Sequence, residues 1–203
     1  MNNIVLIKAY EEPPFCQNDI LRYAGCKTAD SNVLSLLNEC IEEAKKKLCY
    51  KVCYCQSEVT VEGDICAFDT FKLKSKSLAA NLKDCERVVI FAATVGIEMD
   101  RLIAKYSKIS PAKALMLQAI GAERIEALCN AFCKDLAKEN RMGQRPRFSP
   151  GYGDLPLEAQ REIFDILDCN RRLGVFLNNS LLMSPSKSVT AFVGLTTKEK
   201  TAH

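Results

Sequence analysis

A serine followed by a proline, Ser110-Pro111, opens the most clearly written element of this chain. The serine is a capping residue, and proline suits the first helical position, where an N–H has no partner anyway. Leu117, Ile120, Leu128 and Phe132 then recur on one face to about Asn140. A long helix with one apolar face must cover a second layer, and the rest of the sequence supplies strands for it. Arg87 to Thr94 (RVVIFAAT) is a short apolar run, the profile of a buried strand. From Tyr50 to Phe71, β-branched and aromatic residues alternate with polar ones. Glu62-Gly63-Asp64 marks a turn there, which predicts two or three antiparallel strands. Val189, Ala191 and Val193 alternate in a last strand.

Helices fill the remainder. Asp30 or Ser31 caps a helix through Val33, Leu36, Leu37, Cys40, Ile41 and Ala44, with Lys45, Lys46 and Lys47 in its last turn. The first quarter as a whole reads as helical. Ile97 to Tyr106 forms another helix, and a short one carries Ile163, Phe164, Ile166 and Leu167. Between the long helix and this short one lies a proline- and glycine-rich loop, Gly143 to Pro156. Strands and helices are interspersed without regular βαβ spacing. The expected fold class is therefore α+β, with a twisted antiparallel or mixed sheet flanked by helices.

Bulk properties exclude several functions. The net charge is +3 over 203 residues, and no arginine-rich stripe with interleaved aromatics is present, so nucleic acid is not an expected partner. The apolar run Ile4 to Ile7 is too short for a signal peptide or a membrane span. The expected location is the cytoplasm, away from membranes. There are 11 cysteines, an odd count at scattered spacings, which argues against a disulfide framework. Cys49, Cys53 and Cys55 form the tightest group but lack the paired C-x-x-C units or histidines of a zinc site. No metal site is expected, and the single histidine, His203, is terminal. Without a histidine inside the fold, a G-x-S-x-G, a Walker loop or a G-x-G-x-x-G, no catalytic residue is legible, and hydrolase or kinase chemistry is disfavoured.

Two places can hold chemistry. The stretch Arg147-Phe148-Ser149-Pro150-Gly151-Tyr152-Gly153-Asp154 combines a planar cation, exposed backbone at two glycines and an aromatic ring with a hydroxyl. It is either a connector between helices or a cradle for a small zwitterion carrying a planar ring. Glu126 shares a helical stripe with Ala122, Cys129 and Cys133, small apolar neighbours that imply partial burial. Its partner is either an internal arginine or a cationic ligand group.

Four stretches resemble one family together. Arg147 to Tyr152 is similar to the arginine–x–x–proline–glycine–tyrosine signature of the activation domain of cobalamin-dependent methionine synthase. Val89 to Asp100 (VIFAATVGIEMD) resembles that domain's strand–threonine–x–glycine–acidic segment. Leu117 to Phe132 resembles its long helix, with Glu126 on a family carboxylate. Met183 to Val189 (MSPSKSV) resembles the turn before a late strand. The likeness runs from about residue 88 to 194, and Ile20 to Gly25 looks like the opening of separately encoded members.

The resemblance implies one activation-like domain over 1–203, with 1–87 a helical and hairpin part and 88–194 binding S-adenosylmethionine. Its ligand positions fall on Glu126, Arg147, Ser149, Gly151 and Tyr152. Arg147 would pair with the ligand carboxylate, the backbone at Ser149 and Gly151 would hydrogen-bond the ligand, Glu126 would receive a polar or cationic part, and Tyr152 would pack against it. Cobalamin would be held by a partner, the cobalamin-binding module of a separate methionine synthase or a related corrinoid protein. A flavodoxin- or ferredoxin-like reductant would supply the electron, so that the chain acts in trans in the reductive remethylation of cob(II)alamin to methylcobalamin. It would be an accessory to the methyltransferase, inactive alone. Two departures stand out. Arg141 occupies the position near a further family carboxylate, with Glu139 close by, and no tyrosine follows Tyr152 to match a late family tyrosine. A reactivator of another corrinoid methyltransferase, or a non-enzymatic cysteine-rich binding module, are the competing readings.

Overall fold

The structure is a computed structural model and describes residues 4–26, 28–140 and 142–196. The elements are, in chain order, β1 (Leu6–Ala9), α1 (Gln17–Tyr23), α2 (Ser31–Ala44), β2 (Lys51–Glu62), β3 (Ile65–Phe68) and β4 (Lys72–Lys74). Then come α3 (Lys76–Asn81), β5 (Arg87–Thr94), α4 (Glu98–Ser107), α5 (Pro111–Asn140) and β6 (Gly143–Gln144). The chain continues through α6 (Ala159–Leu167), α7 (Cys169–Leu173), β7 (Phe176–Leu177), β8 (Met183–Ser184) and β9 (Ser188–Thr196). A seven-stranded antiparallel sheet runs β4-β3-β2-β5-β9-β6, with β1 on β2, and β7 pairs β8 in a separate hairpin. The expected α+β architecture is the one observed.

The strand period decides the layers. On β5, Val88, Ile90 and Ala92 face a core built with Leu78 and Leu82 around α3 and Ile163, Phe164 and Leu167 of α6. Val89, Phe91 and Ala93 point the other way, under Ile125, Leu128, Cys129, Phe132 and Leu136 of α5. Both faces are covered, which is why β5 reads as an unbroken apolar run. Phe132 sits between Tyr54 and Phe91, with ring centroids 5.1 and 4.9 Å away. The first half of α5 has a different environment: Met116, Leu117 and Ile120 pack with Ile20, Leu37, Ile41 and Met99 from α1, α2 and α4. One helix thus joins a helical layer to the sheet. At the join, the fully buried Arg124 pairs with Glu123 at 2.6 Å and donates to the carbonyls of Pro13 and Pro14, pinning the N-terminal segment to α5.

Three sequence expectations need correction. The first quarter is not wholly helical, because Leu6–Ala9 pairs antiparallel with Lys51–Tyr54; four residues are too few to show a period, and the pairing is tertiary. Lys45, Lys46 and Lys47 lie beyond α2, since Lys45 leaves the helical region at φ −52° and ψ 139°. The Asp30 cap is as expected, with Oδ1 accepting from Val33 N–H at 2.9 Å. The stretch after Gly143 is sheet before it is loop. Gly143–Gln144 pairs with Leu195–Thr196, Arg145 N–H donates to Gly194 at 2.9 Å, and Phe148 bridges Phe192. Edge pairing of this kind leaves little trace in a sequence rich in proline and glycine.

Most of the cysteines are packing residues. Cys53, Cys55, Cys66, Cys85 and Cys169 are buried against the α3–α6 side of the sheet, Cys40 and Cys129 lie in the other cores, and all are free thiols. Cys49 is exposed, apart from Cys53 and Cys55. Among the described residues no group of three or more His, Cys, Asp or Glu is arranged to hold a metal ion, and no helix is long and apolar enough to cross a membrane. His203 and Arg141 lie outside the described residues.

Candidate functional site

Where β6 ends, the edge of β9 opens into a cleft of about 360 Å³, within the range of small-molecule sites. Its walls come from three directions. α5 contributes Glu126, the 147–152 stretch contributes Arg147, Ser149, Pro150 and Tyr152, and Ser188, Val189 and Thr190 of β9 form the floor, closed by Leu157, Gln160 and Met183.

The charged end is a network. Arg147 Nη2 donates to Glu126 Oε2 at 2.7 Å, and Nη1 donates to Asn130 Oδ1 at 2.8 Å and reaches Cys133 Sγ at 3.9 Å. Of the two partners open for Glu126 in the sequence, the internal arginine is present, and it is Arg147 itself. Burial works against the Arg147 charge, but Cys129, Cys133 and Glu126 more than offset it, so its pKa is raised. Burial pushes the Cys129 thiol up to about 12 and raises Cys133 as well, so both stay protonated at neutral pH. The network is therefore one cation and one carboxylate, flanked by neutral thiols.

The loop is held from both sides. Phe148 exchanges N–H···O=C bonds of 2.9 and 2.8 Å with Phe192. Asp154 accepts from Ser75 Oγ at 2.5 Å, Lys76 N–H at 2.8 Å and Ser77 N–H at 3.0 Å, fixing the loop's far end to the start of α3. The Ser75 hydroxyl first, then the N–H groups of Ser77 and Lys76, hold the Asp154 carboxyl far below the usual carboxylate range. Gly151 at φ +87° and Gly153 at φ +55° make the turn between them, a conformation that glycine adopts without strain. Tyr152 is left 67% exposed at the mouth.

Of the five positions suggested by the sequence, Glu126, Arg147, Ser149 and Tyr152 line one cleft, and Gly151 shapes the turn behind it. The Gly151 N–H donates to the Leu155 carbonyl at 2.9 Å, so it is taken up within the turn. Glu139 turns elsewhere and accepts from Lys8 at 3.1 Å. Asn130 was not singled out in the sequence, although it lies one helical turn after Glu126 and that spacing alone puts it on the same face. A second groove of about 550 Å³ runs along the outer face of α5 past Pro13, Asp19, Arg22 and Lys134, and Glu126 lines both.

The four stretches with family resemblance also meet in space. Thr94 Oγ1 accepts from Ser188 Oγ at 2.9 Å, Asp100 accepts from Ser186 N–H at 3.0 Å, and Lys187 Nζ donates to Gln118 Oε1 of α5 at 2.6 Å. Residues 76–201 match the family profile described as vitamin B12 dependent methionine synthase, activation domain, which is more than half of the chain. The chain belongs to this activation-domain family. The activation-domain fold is found again in a crystal structure of the MetH reactivation domain bound to AdoHcy, with a TM-score of 0.69 at 15% identity, covering 99% of this chain and 81% of that one. The likeness is one of fold. No protein of curated function matches this activation domain in sequence.

Proposed function

We propose that this activation domain binds S-adenosylmethionine in the cleft between α5, residues 147–152 and β9, and that it acts in trans on a cobalamin-dependent methionine synthase or a related corrinoid protein. The observation that carries the reading is the convergence of a guanidinium, a carboxylate and an exposed tyrosine ring on one cleft of ligand size.

The chemistry of the donor set fits the ligand. A guanidinium and a carboxylate side by side complement the carboxylate and ammonium of an amino-acid zwitterion, each charge meeting its opposite. Arg147 has five N–H donors, and its bonds to Glu126, Asn130 and Cys133 leave some unused. The ion pair can therefore persist while Arg147 takes a ligand carboxylate and Glu126 an ammonium. Backbone groups at Ser149 and the Gly151 carbonyl face the ligand, and the Tyr152 ring packs over it. When bound, S-adenosylmethionine supplies a methyl group to the cobalt of a cobalamin held by the partner, after one-electron reduction by a flavodoxin- or ferredoxin-like protein. The part played by this chain is to hold and orient, which lowers a barrier without moving a proton. In this reading residues 1–203 work as one domain, in the cytoplasm, with the ligand carried by 88–194.

The trans role is tested with a cobalamin-dependent synthase that lacks its own activation domain and has been oxidised to cob(II)alamin. Adding this chain, S-adenosylmethionine and reduced flavodoxin restores turnover if the proposal holds. Turnover that stays at the level seen without this chain contradicts it.

A further inference from the structure

Gly121 is the only glycine of the 30-residue helix α5, at a place where alanine would suit the backbone better. Its φ is not in the left-handed region, so the conformation does not call for glycine. Space does. A Cβ built there would lie 2.7 Å from Lys187 Cε, 3.0 Å from Lys187 Cδ and 2.8 Å from Cγ of the fully buried Met99. The missing side chain leaves a notch in α5, and the Lys187 stem lies across it. At the end of that stem, Nζ donates to Gln118 Oε1 at 2.6 Å, one helical turn earlier on α5. Burial lowers the Lys187 pKa although the Asp100 carboxylate pulls the other way, so the ammonium is held here against a cost that an apolar plug would not carry. The backbone of the same turn is tied on its other side. Val95 N–H donates to the Lys187 carbonyl at 3.1 Å, and Ser186 N–H donates to Asp100 of α4 at 3.0 Å. Lys187 thus straps α5 to the turn between β8 and β9.

We propose that Lys187 is a positioning residue: its side chain, laid in the notch at Gly121, sets the spacing between α5 and the start of β9, and with it the width of the cleft. The proposal rests on the reading of the cleft as an S-adenosylmethionine site, but Lys187 is not among the residues that line it. Its neighbour Ser188 is. Ser188, Val189 and Thr190 form the floor, and Glu126 stands on the wall five residues after Gly121, about 7.5 Å along the helix. Floor and wall come from elements far apart in the chain, so contacts alone hold their distance. The Lys187–Gln118 bond and the stem on Gly121 join them directly. A lysine suits the task because its four-carbon stem spans the gap while its ammonium keeps a polar partner. Gly121 acquires a role as well: it is the seat of that stem.

Three variants separate spacing from stability. Lys187→Ala empties the notch, Gly121→Ala fills it with a methyl group and displaces the stem, and Lys187→Met keeps most of the stem. Calorimetry should show S-adenosylmethionine binding to the parent, and binding at least about threefold weaker to Lys187→Ala and to Gly121→Ala. Lys187→Met should recover part of the affinity that Lys187→Ala loses. Gly121→Ala should lose affinity while its thermal midpoint stays within about 4 °C of the parent, because alanine favours the helix. If the two alanine variants bind as the parent does, the spacing is not set at Lys187, and this inference fails while the parent reading stands. It fails in the same way if affinity falls only together with a drop in midpoint of more than about 10 °C, which is general loosening, or if Lys187→Met binds no better than Lys187→Ala. If the parent does not bind the ligand, the parent reading fails and this role with it.

Discussion

Arg147 Nη2 and Glu126 Oε2 lie 2.7 Å apart, joining the 147–152 stretch to α5 at the rim of the cleft. The side chains are 23% and 43% exposed, and pairs so open to water contribute only about 0–1 kcal/mol to stability. A weak structural pair at a cleft is better suited to a ligand than to holding the fold. Glu126→Gln keeps the shape and removes the charge. It should shift the thermal midpoint by no more than about 4 °C and weaken S-adenosylmethionine binding several-fold. Thermal unfolding with and without ligand checks both halves. Unchanged ligand stabilisation would move the ammonium away from Glu126.

The pair Arg124–Glu123 behaves oppositely. Its side chains are 0% and 5% exposed, and Arg124 also satisfies the Pro13 and Pro14 carbonyls. Arg124→Ala leaves a buried carboxylate and two carbonyls without partners, at a cost of about 3–5 kcal/mol. The midpoint should fall on the order of 10 °C. The double variant Arg124→Met/Glu123→Leu should recover part of that loss, because the buried charge goes with its partner while the Pro13 and Pro14 carbonyls and the Cys16 N–H stay unpaired.

Asp154 gives a pH dependence with a definite sign. Its folded pKa is depressed by the Ser75, Ser77 and Lys76 hydrogen bonds, so its contribution is present above the unfolded carboxylate value of about 3.9 and is lost as pH falls. Asp154→Asn should be less stable than the parent at pH 6. The gap in thermal midpoint should stay constant above about pH 5 and narrow between about pH 4 and pH 2. A gap unchanged down to pH 2 would show that Asp154 does not anchor the loop as a carboxylate.

The legible parts of the fold were those with a strong local period. α5 carried its cap, its proline and its apolar stripe, and β5 its unbroken apolar run. β1 and the Gly143–Phe148 edge were illegible because each is defined by a neighbour far along the chain: Lys51–Tyr54 for one, Phe192–Thr196 for the other. At the site, Arg147 to Tyr152 stood out as a motif and Glu126 as a carboxylate among small residues. That these two meet was not readable, since it depends on how α5 crosses the sheet.

The central claim is that the cleft at Arg147 is a binding site for S-adenosylmethionine, and calorimetric titration of the purified chain beside its Arg147→Ala variant tests it most directly. The expected result is saturable binding by the parent, loss of at least about tenfold in affinity in the variant, and a variant midpoint within a few degrees of the parent. Equal binding by the two proteins, or none by the parent at millimolar ligand, would contradict it.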